Sequence, residues 1–143
     1  SFPTRRSSDL YAVKSTDVSI EAFKTLYPMI STYKIPIKDK NIMTTTLISE
    51  NETHMIELIE GNGTPNPVEN MLKKRDSVFY HTCYEVSDFR GGIDLFKDKG
   101  FRAMTKPFLT ELENEEYHCK WATHMYHPKL GMIELYGTEY NNE

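Results

Sequence analysis

The sequence predicts an α+β fold that contains two copies of a βαβββ module. Shifting the chain by 73 positions aligns Tyr11-Ala12-Val13 with Tyr84-Glu85-Val86, and residues 20–24 with residues 93–97, without a gap. A few residues of slack later, Met55-Ile56-Glu57-Leu58 matches Met132-Ile133-Glu134-Leu135. Matched blocks in one order indicate a duplicated module. Each half also shows the same order of strand and helix periodicities.

In the first half, a strand remnant is followed by one helix and three strands. Residues 11–14 are predicted to be the strand remnant, and residues 18–30 an amphipathic helix with Asp17 as its N-cap. Strands are predicted over residues 34–37, 42–49 and 55–59, with residues 51–53 forming the hairpin turn between the last two.

The second half repeats this order. A strand over residues 78–86 precedes a helix over residues 91–99, which is expected to end at Gly100 because glycine favours the position after a helix. Three further strands are predicted over residues 101–104, 118–126 and 132–136. A short helix at residues 67–74 is predicted to bridge the halves. The expected organisation is a leader (1–10), a first module (11–64), a linker helix (65–77) and a second module (78–143).

The first ten residues differ from the rest of the chain. Residues 1–10, SFPTRRSSDL, contain two arginines and three serines and show no periodicity. This composition would allow a disordered tail. The segment also resembles a translated sequencing adapter, and natural-looking sequence begins abruptly at Tyr11. We therefore expect residues 1–10 to be a non-native leader and the first module to be truncated at its N-terminus.

Composition and charge argue against several classes of function. A hydrophobic content of 38% and a charged content of 27% fit a soluble globular protein. The net charge of −4 and the lack of a basic stripe give no reason to expect nucleic acid as a partner. No apolar run approaches the roughly 20 residues that span a bilayer, so a membrane is not expected either. Cys83 and Cys119 form no CxxC motif, which favours a reduced, cytoplasmic setting with Cys83 as a small core residue.

Three residues could bind a metal. Glu57 and Glu134 occupy equivalent positions in the last strand of each half, and His81 lies near the start of the second module. Carboxylate oxygen and imidazole nitrogen suit a divalent ion such as Zn, Ni, Co or Mn. The alternative is structural, because strand alternation would also place both glutamates on a solvated sheet face. From spacing alone, that alternative is the better interpretation of each glutamate.

Several short motifs resemble the vicinal-oxygen-chelate superfamily, and in particular its glyoxalase I and methylmalonyl-CoA epimerase branches. Residues 80–86 (YHTCYEV) resemble the family's strand with a metal-binding histidine, and residues 131–135 (GMIEL) resemble its closing strand. Residues 127–129 (HPK) resemble the turn before that strand. Residues 55–60 (MIELIE) and 66–68 (NPV) resemble the end of the first module and the start of the linker. The resemblance extends over residues 11–137.

The resemblance implies the glyoxalase/bleomycin resistance/dioxygenase fold, with a curved eight-stranded mixed sheet that forms a cup. It implies a divalent metal ion (Zn, Ni, Co or Mn) held by Glu57, His81 and Glu134, with Glu134 as the catalytic proton carrier. The family's first ligand falls at Ser8, which we interpret as a lost histidine. The implied activity is that of a metal-dependent lyase or isomerase (epimerase) acting on an acyl thioester or thiohemiacetal. The resemblance leaves open whether the protein forms a homodimer.

Two other functions stay open. The superfamily includes metal-free proteins that bind antibiotics and other small molecules. The retention of Glu57, His81 and Glu134 argues against that class, and the loss of a ligand at Ser8 favours it. It also includes extradiol-type dioxygenases, which need two histidines and one glutamate. The first-module base of the epimerases aligns with Thr44. Threonine cannot act as a base, which argues against an epimerase without excluding it. Alternation places His118 and His124 on one face of their strand and Trp121 on the other, so that not all can line one pocket.

Overall fold

The computed structural model describes residues 4–26, 29–50, 54–109 and 121–137. The chain divides into two compact units. Residues 8–80 form the first unit, and the described residues among 1–7 and 81–143 form the second unit. The predictions for residues 51–53, for His118 and for Cys119 lie outside the described residues.

The first unit contains one helix and a mixed sheet. Its elements are β1 (Thr4–Val13), α1 (Thr16–Phe23), β2 (Met29–Ile30), β3 (Ile35–Ile37), a short 3-10 helix (Lys38–Lys40), β4 (Ile42–Ile48) and β5 (Met55–Gly61). Of β1, the residues from Ser8 onward belong to this unit. β5 pairs parallel with β1 and antiparallel with β4, and β4 also pairs antiparallel with β2 and β3. One sheet face buries an apolar cluster with α1: Val13, Ile20, Leu47, Ile56 and Leu58.

Helix α1 is shorter than the predicted helix over residues 18–30. It ends at Phe23, and Met29–Ile30 form β2 instead, because their backbone pairs with Ile48 and Leu47 of β4. Asp17 is also not the N-cap. Ser15 takes that role, since its backbone is extended and its Oγ accepts a hydrogen bond from the Val18 amide.

The second unit repeats the architecture of the first. It contains β6 (Ser77–Val86), α2 (Phe89–Asp98), β7 (Arg102–Ala103), β8 (Phe108–Leu109), β9 (Trp121–His127) and β10 (Gly131–Gly137). Of β6, the residues from His81 onward belong to this unit. β10 pairs parallel with β6 and antiparallel with β9, and β9 also pairs antiparallel with β7 and β8. One face of this sheet buries a second apolar cluster with α2: Val86, Phe89, Ile93, Met125, Ile133 and Leu135.

Helix α2 ends where glycine predicts it. Gly100 has a φ of +99°, and its amide donates to the Lys97 carbonyl while the Phe101 amide donates to the Phe96 carbonyl. These two hydrogen bonds form a Schellman motif. The rings of Phe96 and Phe101 lie 5.0 Å apart and supply its apolar contact. The helix begins two residues earlier than predicted, at Phe89, because the Asp88 side chain caps it by accepting from the Gly91 amide.

The structure confirms the α+β class and the paired βαβββ modules. The two N-caps, Ser15 and Asp88, are separated by the 73 positions of the repeat. Among the described residues there are ten strands rather than the expected eight, because β2 and β8 add two-residue pairings. No helix in the described part of the chain is long and apolar enough to cross a membrane.

Residues 65–77 differ from the predicted linker helix. They form turns, and the regular helix expected at residues 67–74 is not assigned. Asn66 Oδ1 accepts a hydrogen bond from the Val68 amide, which offers the backbone an alternative to helical bonding. A helix of only about two turns is also too short to be stable by its own hydrogen bonds. Val68 and Leu72 are buried and anchor the segment.

β1 includes residues that we interpreted as a non-native leader. The strand begins at Thr4, and Ser8, Asp9 and Leu10 are buried in it. Asp9 pairs in register with Ile56 of β5, and Leu10 pairs with Glu57. A segment of this composition can therefore complete the strand, and its non-native origin stays a prediction.

Candidate metal centre

The strand register of the second unit brings the chemistry-bearing residues together around Glu134. On β10, Glu134 pairs with Cys83 of β6 on one side and with His124 of β9 on the other. Paired residues of neighbouring strands project from the same sheet face. His81 shares that face because it lies two residues before Cys83, and Tyr136 shares it because it lies two residues after Glu134. The opposite face carries the apolar cluster under α2.

The side chains of this group are buried. His81 is 1% exposed, Cys83 0% and Glu134 5%. Glu57 in the first unit is 8% exposed. The alternative in which both glutamates lie on a solvated face is therefore wrong, since each strand buries both of its faces. Burial of an ionised carboxylate is costly unless charges or hydrogen bonds compensate it.

Several groups surround the Glu134 carboxylate. Tyr136 Oη donates a hydrogen bond to Glu134 Oε2 at 3.1 Å, and the Cys83 thiol donates to the same oxygen at 3.4 Å. His81 Nε2 lies 3.7 Å from Oε2, and the Cys83 sulfur lies 3.7 Å from His81 Nδ1. One carboxylate oxygen therefore faces a nitrogen, a sulfur and a phenolic oxygen.

The second carboxylate oxygen faces His124. His124 Nε2 lies 3.6 Å from Glu134 Oε1, and its ring centre lies 5.1 Å from that of His81. The centre of the Phe108 ring lies 5.5 Å from that of the His124 ring. With a side chain that is 21% exposed, His124 is more open to solvent than the other members of the group. The sequence left the orientation of His124 open, and the structure places it at the site.

Burial and charge set the protonation of this group. Burial lowers the pKa of His81 to about 4, although the negative charge of Glu134 opposes that shift. His81 is therefore neutral at pH 7, and its contact with Glu134 is not an ion pair at that pH. Burial alone would raise the pKa of Glu134, but its interactions with the His124 and His81 side chains and with the Cys83 thiol outweigh burial, so the pKa lies below its ordinary value. Glu134 is thus ionised.

The donor set fits a divalent metal ion. His81, Cys83 and Glu134 each offer one ligand atom, and these atoms lie within 4.8 Å of one another. A neutral imidazole and an ionised carboxylate are in the protonation states that metal binding requires. Nitrogen, sulfur and oxygen donors together suit Zn or Co better than Mg or Ca, which prefer oxygen alone.

Comparison with known proteins identifies the family. The sequence profile of the Glyoxalase/Bleomycin resistance protein/Dioxygenase superfamily matches residues 10–118. The chain belongs to this superfamily. No curated protein sequence matches the chain significantly.

Solved structures of this superfamily share the fold. Methylmalonyl-CoA epimerase from Mycobacterium tuberculosis is 19% identical, with a TM-score of 0.74 over 94% of this chain and 88% of the epimerase. A hypothetical protein from Bacillus halodurans is 14% identical, with a TM-score of 0.76 over 99% of both chains. Streptomyces coelicolor methylmalonyl-CoA epimerase in complex with 2-nitronate-propionyl-CoA is 16% identical, with a TM-score of 0.71 over 95% and 98% of the two chains. At these identities the likeness shows the fold alone.

Superfamily members commonly use divalent metals, and the predicted ligands are distributed between the two units. The structure brings His81 and Glu134 together in the second unit. Glu57 and Ser8 lie in the first unit, on β5 and β1, and their part in a metal site stays a prediction. Ser8 Oγ is buried and has no hydrogen-bond partner among the described residues.

Sequence reasoning missed two members of the site. Cys83 was predicted to be a core residue, and it is fully buried, but its thiol belongs to the metal-binding group. Tyr136 was not singled out at all. Strand alternation could have found both, because Cys83 lies two residues after His81 and Tyr136 lies two residues after Glu134.

Proposed function

We propose that this protein is a metal-dependent lyase or isomerase that moves a proton next to a carbonyl group of an acyl thioester or thiohemiacetal. The observation that carries the proposal is the buried, ionised Glu134 surrounded by metal donors and hydrogen-bond donors. A carboxylate in that position can remove a proton and return it.

The residues of the site have distinct parts in this proposal. His81 holds the metal through a neutral imidazole, and the resemblance adds Glu57 as a further ligand. When bound, a divalent metal ion would act as a Lewis acid that stabilises an enolate or enediolate through two adjacent oxygens. Glu134 binds the metal and carries the proton, while Tyr136 and Cys83 orient its Oε2 by donating hydrogen bonds.

One carboxylate is assigned as the base rather than two. The epimerase-type base of the first module aligns with Thr44, which is nearly buried on β4. A threonine hydroxyl cannot accept a proton at neutral pH. We therefore favour chemistry in which a single carboxylate carries the proton, as in the glyoxalase I interpretation, over a two-base epimerisation.

The fold neighbours supply suitable test compounds. One solved neighbour is a methylmalonyl-CoA epimerase in complex with methylmalonyl-CoA, and another holds 2-nitronate-propionyl-CoA. These complexes support a CoA thioester as the first probe for this chain. A thiohemiacetal of glutathione and a 2-oxoaldehyde is the second probe. A cytoplasmic setting and a homodimer stay predictions from the sequence.

Metal binding is the first test. Elemental analysis after loading with Zn, Ni, Co or Mn should find metal in the wild type, much less in Glu134→Gln, and an unchanged amount in Asp94→Asn. Asp94 is a matched control because it is an exposed carboxylate on α2. Ser8→His should raise the occupancy if that position is a lost ligand. Transition metal in none of these proteins would contradict the proposal and favour a metal-free binding protein.

Proton exchange is the second test. In deuterated water, the metal-loaded protein should exchange the proton beside the carbonyl of one of the two probes. Glu134→Gln should lose at least about 100-fold of that rate, because general acid–base catalysis typically contributes that much. Stoichiometric binding of a probe without exchange would refute the enzyme and support a sequestering protein. Oxygen uptake by the iron-loaded protein would instead indicate the dioxygenase alternative.

A further inference from the structure

The two units carry different residues at equivalent register positions. In each unit the glutamate of the last strand is flanked by one residue of the first strand and one of the neighbouring antiparallel strand. The flanking residues are Leu10 and Thr46 around Glu57, and Cys83 and His124 around Glu134. The 73-residue shift also places Ser8 on His81. At these positions the first unit therefore has one side chain that binds metals strongly, Glu57. The second unit has four such side chains: His81, Cys83, His124 and Glu134.

His124 is placed to act as a donor rather than as a packing residue. Its Nε2 lies 3.6 Å from Glu134 Oε1. The hydrogen bonds from Tyr136 and Cys83 go to the other carboxylate oxygen, Oε2. Neighbouring ligand atoms of one metal ion are separated by roughly 3 to 3.5 Å when metal–ligand bonds are about 2.0 to 2.2 Å. The separation of Nε2 and Oε1 is therefore close to that of two ligands of one ion.

The surroundings of His124 hold it in this orientation. Its backbone amide donates a hydrogen bond to Thr105 Oγ1 at 3.0 Å, and the Met104 amide donates to the His124 carbonyl at 2.8 Å. The Phe108 ring lies 5.5 Å from the imidazole of His124, and the His81 ring lies 5.1 Å from it. Backbone hydrogen bonds and ring contacts therefore hold His124 beside the site.

We propose that His124 is a further metal ligand beside His81 and Glu134, so that two imidazoles and one carboxylate of the second unit bind the same ion. This inference rests on the metal site of the proposed function. Three protein ligands leave further coordination positions for water or substrate, which is typical of catalytic rather than structural sites. Two histidines and one carboxylate suit Fe(II) as well as Co and Zn.

Cobalt affinity tests this assignment. Titration with Co²⁺ in competition with a chromophoric chelator should give a dissociation constant at least about 10-fold weaker for His124→Asn than for the wild type. His54→Asn is the matched control, because it removes a partly exposed imidazole from the first unit, and it should leave the affinity unchanged. Glu134→Gln should also weaken the binding of Co²⁺ strongly.

A measurement on the unmodified protein removes any dependence on the folding of a variant. In the proton NMR spectrum of the Co²⁺-loaded wild type, each ligated imidazole gives one strongly shifted exchangeable N–H signal. Two such signals, of which one is missing in His124→Asn, are expected. One signal, together with equal affinities of the wild type and His124→Asn, would overturn the assignment of His124 but leave the proposed metal function intact. A wild type that binds no Co²⁺ would overturn both the assignment of His124 and the proposed metal function.

Discussion

Acid should destabilise the metal-free protein through His81. The imidazole is 1% exposed, and burial lowers its pKa to about 4 from an ordinary value of 6.5. The unfolded chain therefore binds a proton more readily than the folded chain does between these two pH values. Stability falls as the pH drops through 6.5 and stops falling from this cause below about 4. A pKa separation of this size corresponds to about 3 kcal/mol, and about 2 kcal/mol of it is lost between pH 8 and pH 5.

Urea denaturation at pH 8 and pH 5, in buffer containing a chelator, measures this loss. The wild type should lose about 2 kcal/mol more than His81→Asn over that interval, since the variant has no imidazole to titrate at that position. The comparison concerns the change with pH, so that a lower baseline stability of the variant does not affect it. Equal losses in the two proteins would show that His81 is not held neutral by burial, and the description of the site as ready for metal would fail with it.

Three further predictions concern stability, and urea denaturation at pH 7 checks each. Gly137→Ala should cost about 2 kcal/mol or more, because an added Cβ would lie 2.4 Å from Phe89 Cβ, whereas Gly131→Ala meets no atom within 4 Å and carries only the strain of a φ of +83°. A smaller effect at Gly137 than at Gly131 would contradict this packing. Ser15→Ala should cost about 1 kcal/mol through loss of the α1 N-cap. Tyr136→Phe should cost about 2 kcal/mol, since it removes a hydrogen bond to a buried carboxylate.

The repeat made most of the fold predictable from the sequence. Similar residues at a nearly constant shift located both modules, and periodicity located the eight main strands and both helices. The predicted boundaries of helices and strands were wrong where pairing between strands determined the local structure. Met29 and Ile30 continue the apolar pattern of α1, but they pair with β4 because that strand offers free backbone groups. No local signal in the sequence distinguishes these two outcomes.

The site was predicted in part. Family motifs pointed to His81 and Glu134, and the structure places these two side chains 3.7 Å apart. Periodicity alone favoured a solvated face for Glu134, because alternation assigns residues to two faces without saying that both are buried. His124 was not assigned to the site for a related reason. Its contact with Glu134 depends on the register of β9 against β10, which connects residues ten positions apart across a turn.

The two units differ in what surrounds their buried glutamates. A buried carboxylate that loses its partners carries the cost of an unpaired charge. In the second unit that cost is already met without the first, because the tyrosine hydroxyl, the thiol and two imidazoles surround Glu134. A metal centre built on this carboxylate depends on the register of three neighbouring strands within one unit. Ser8→His would then add a ligand to a working centre, and His124→Asn would remove one.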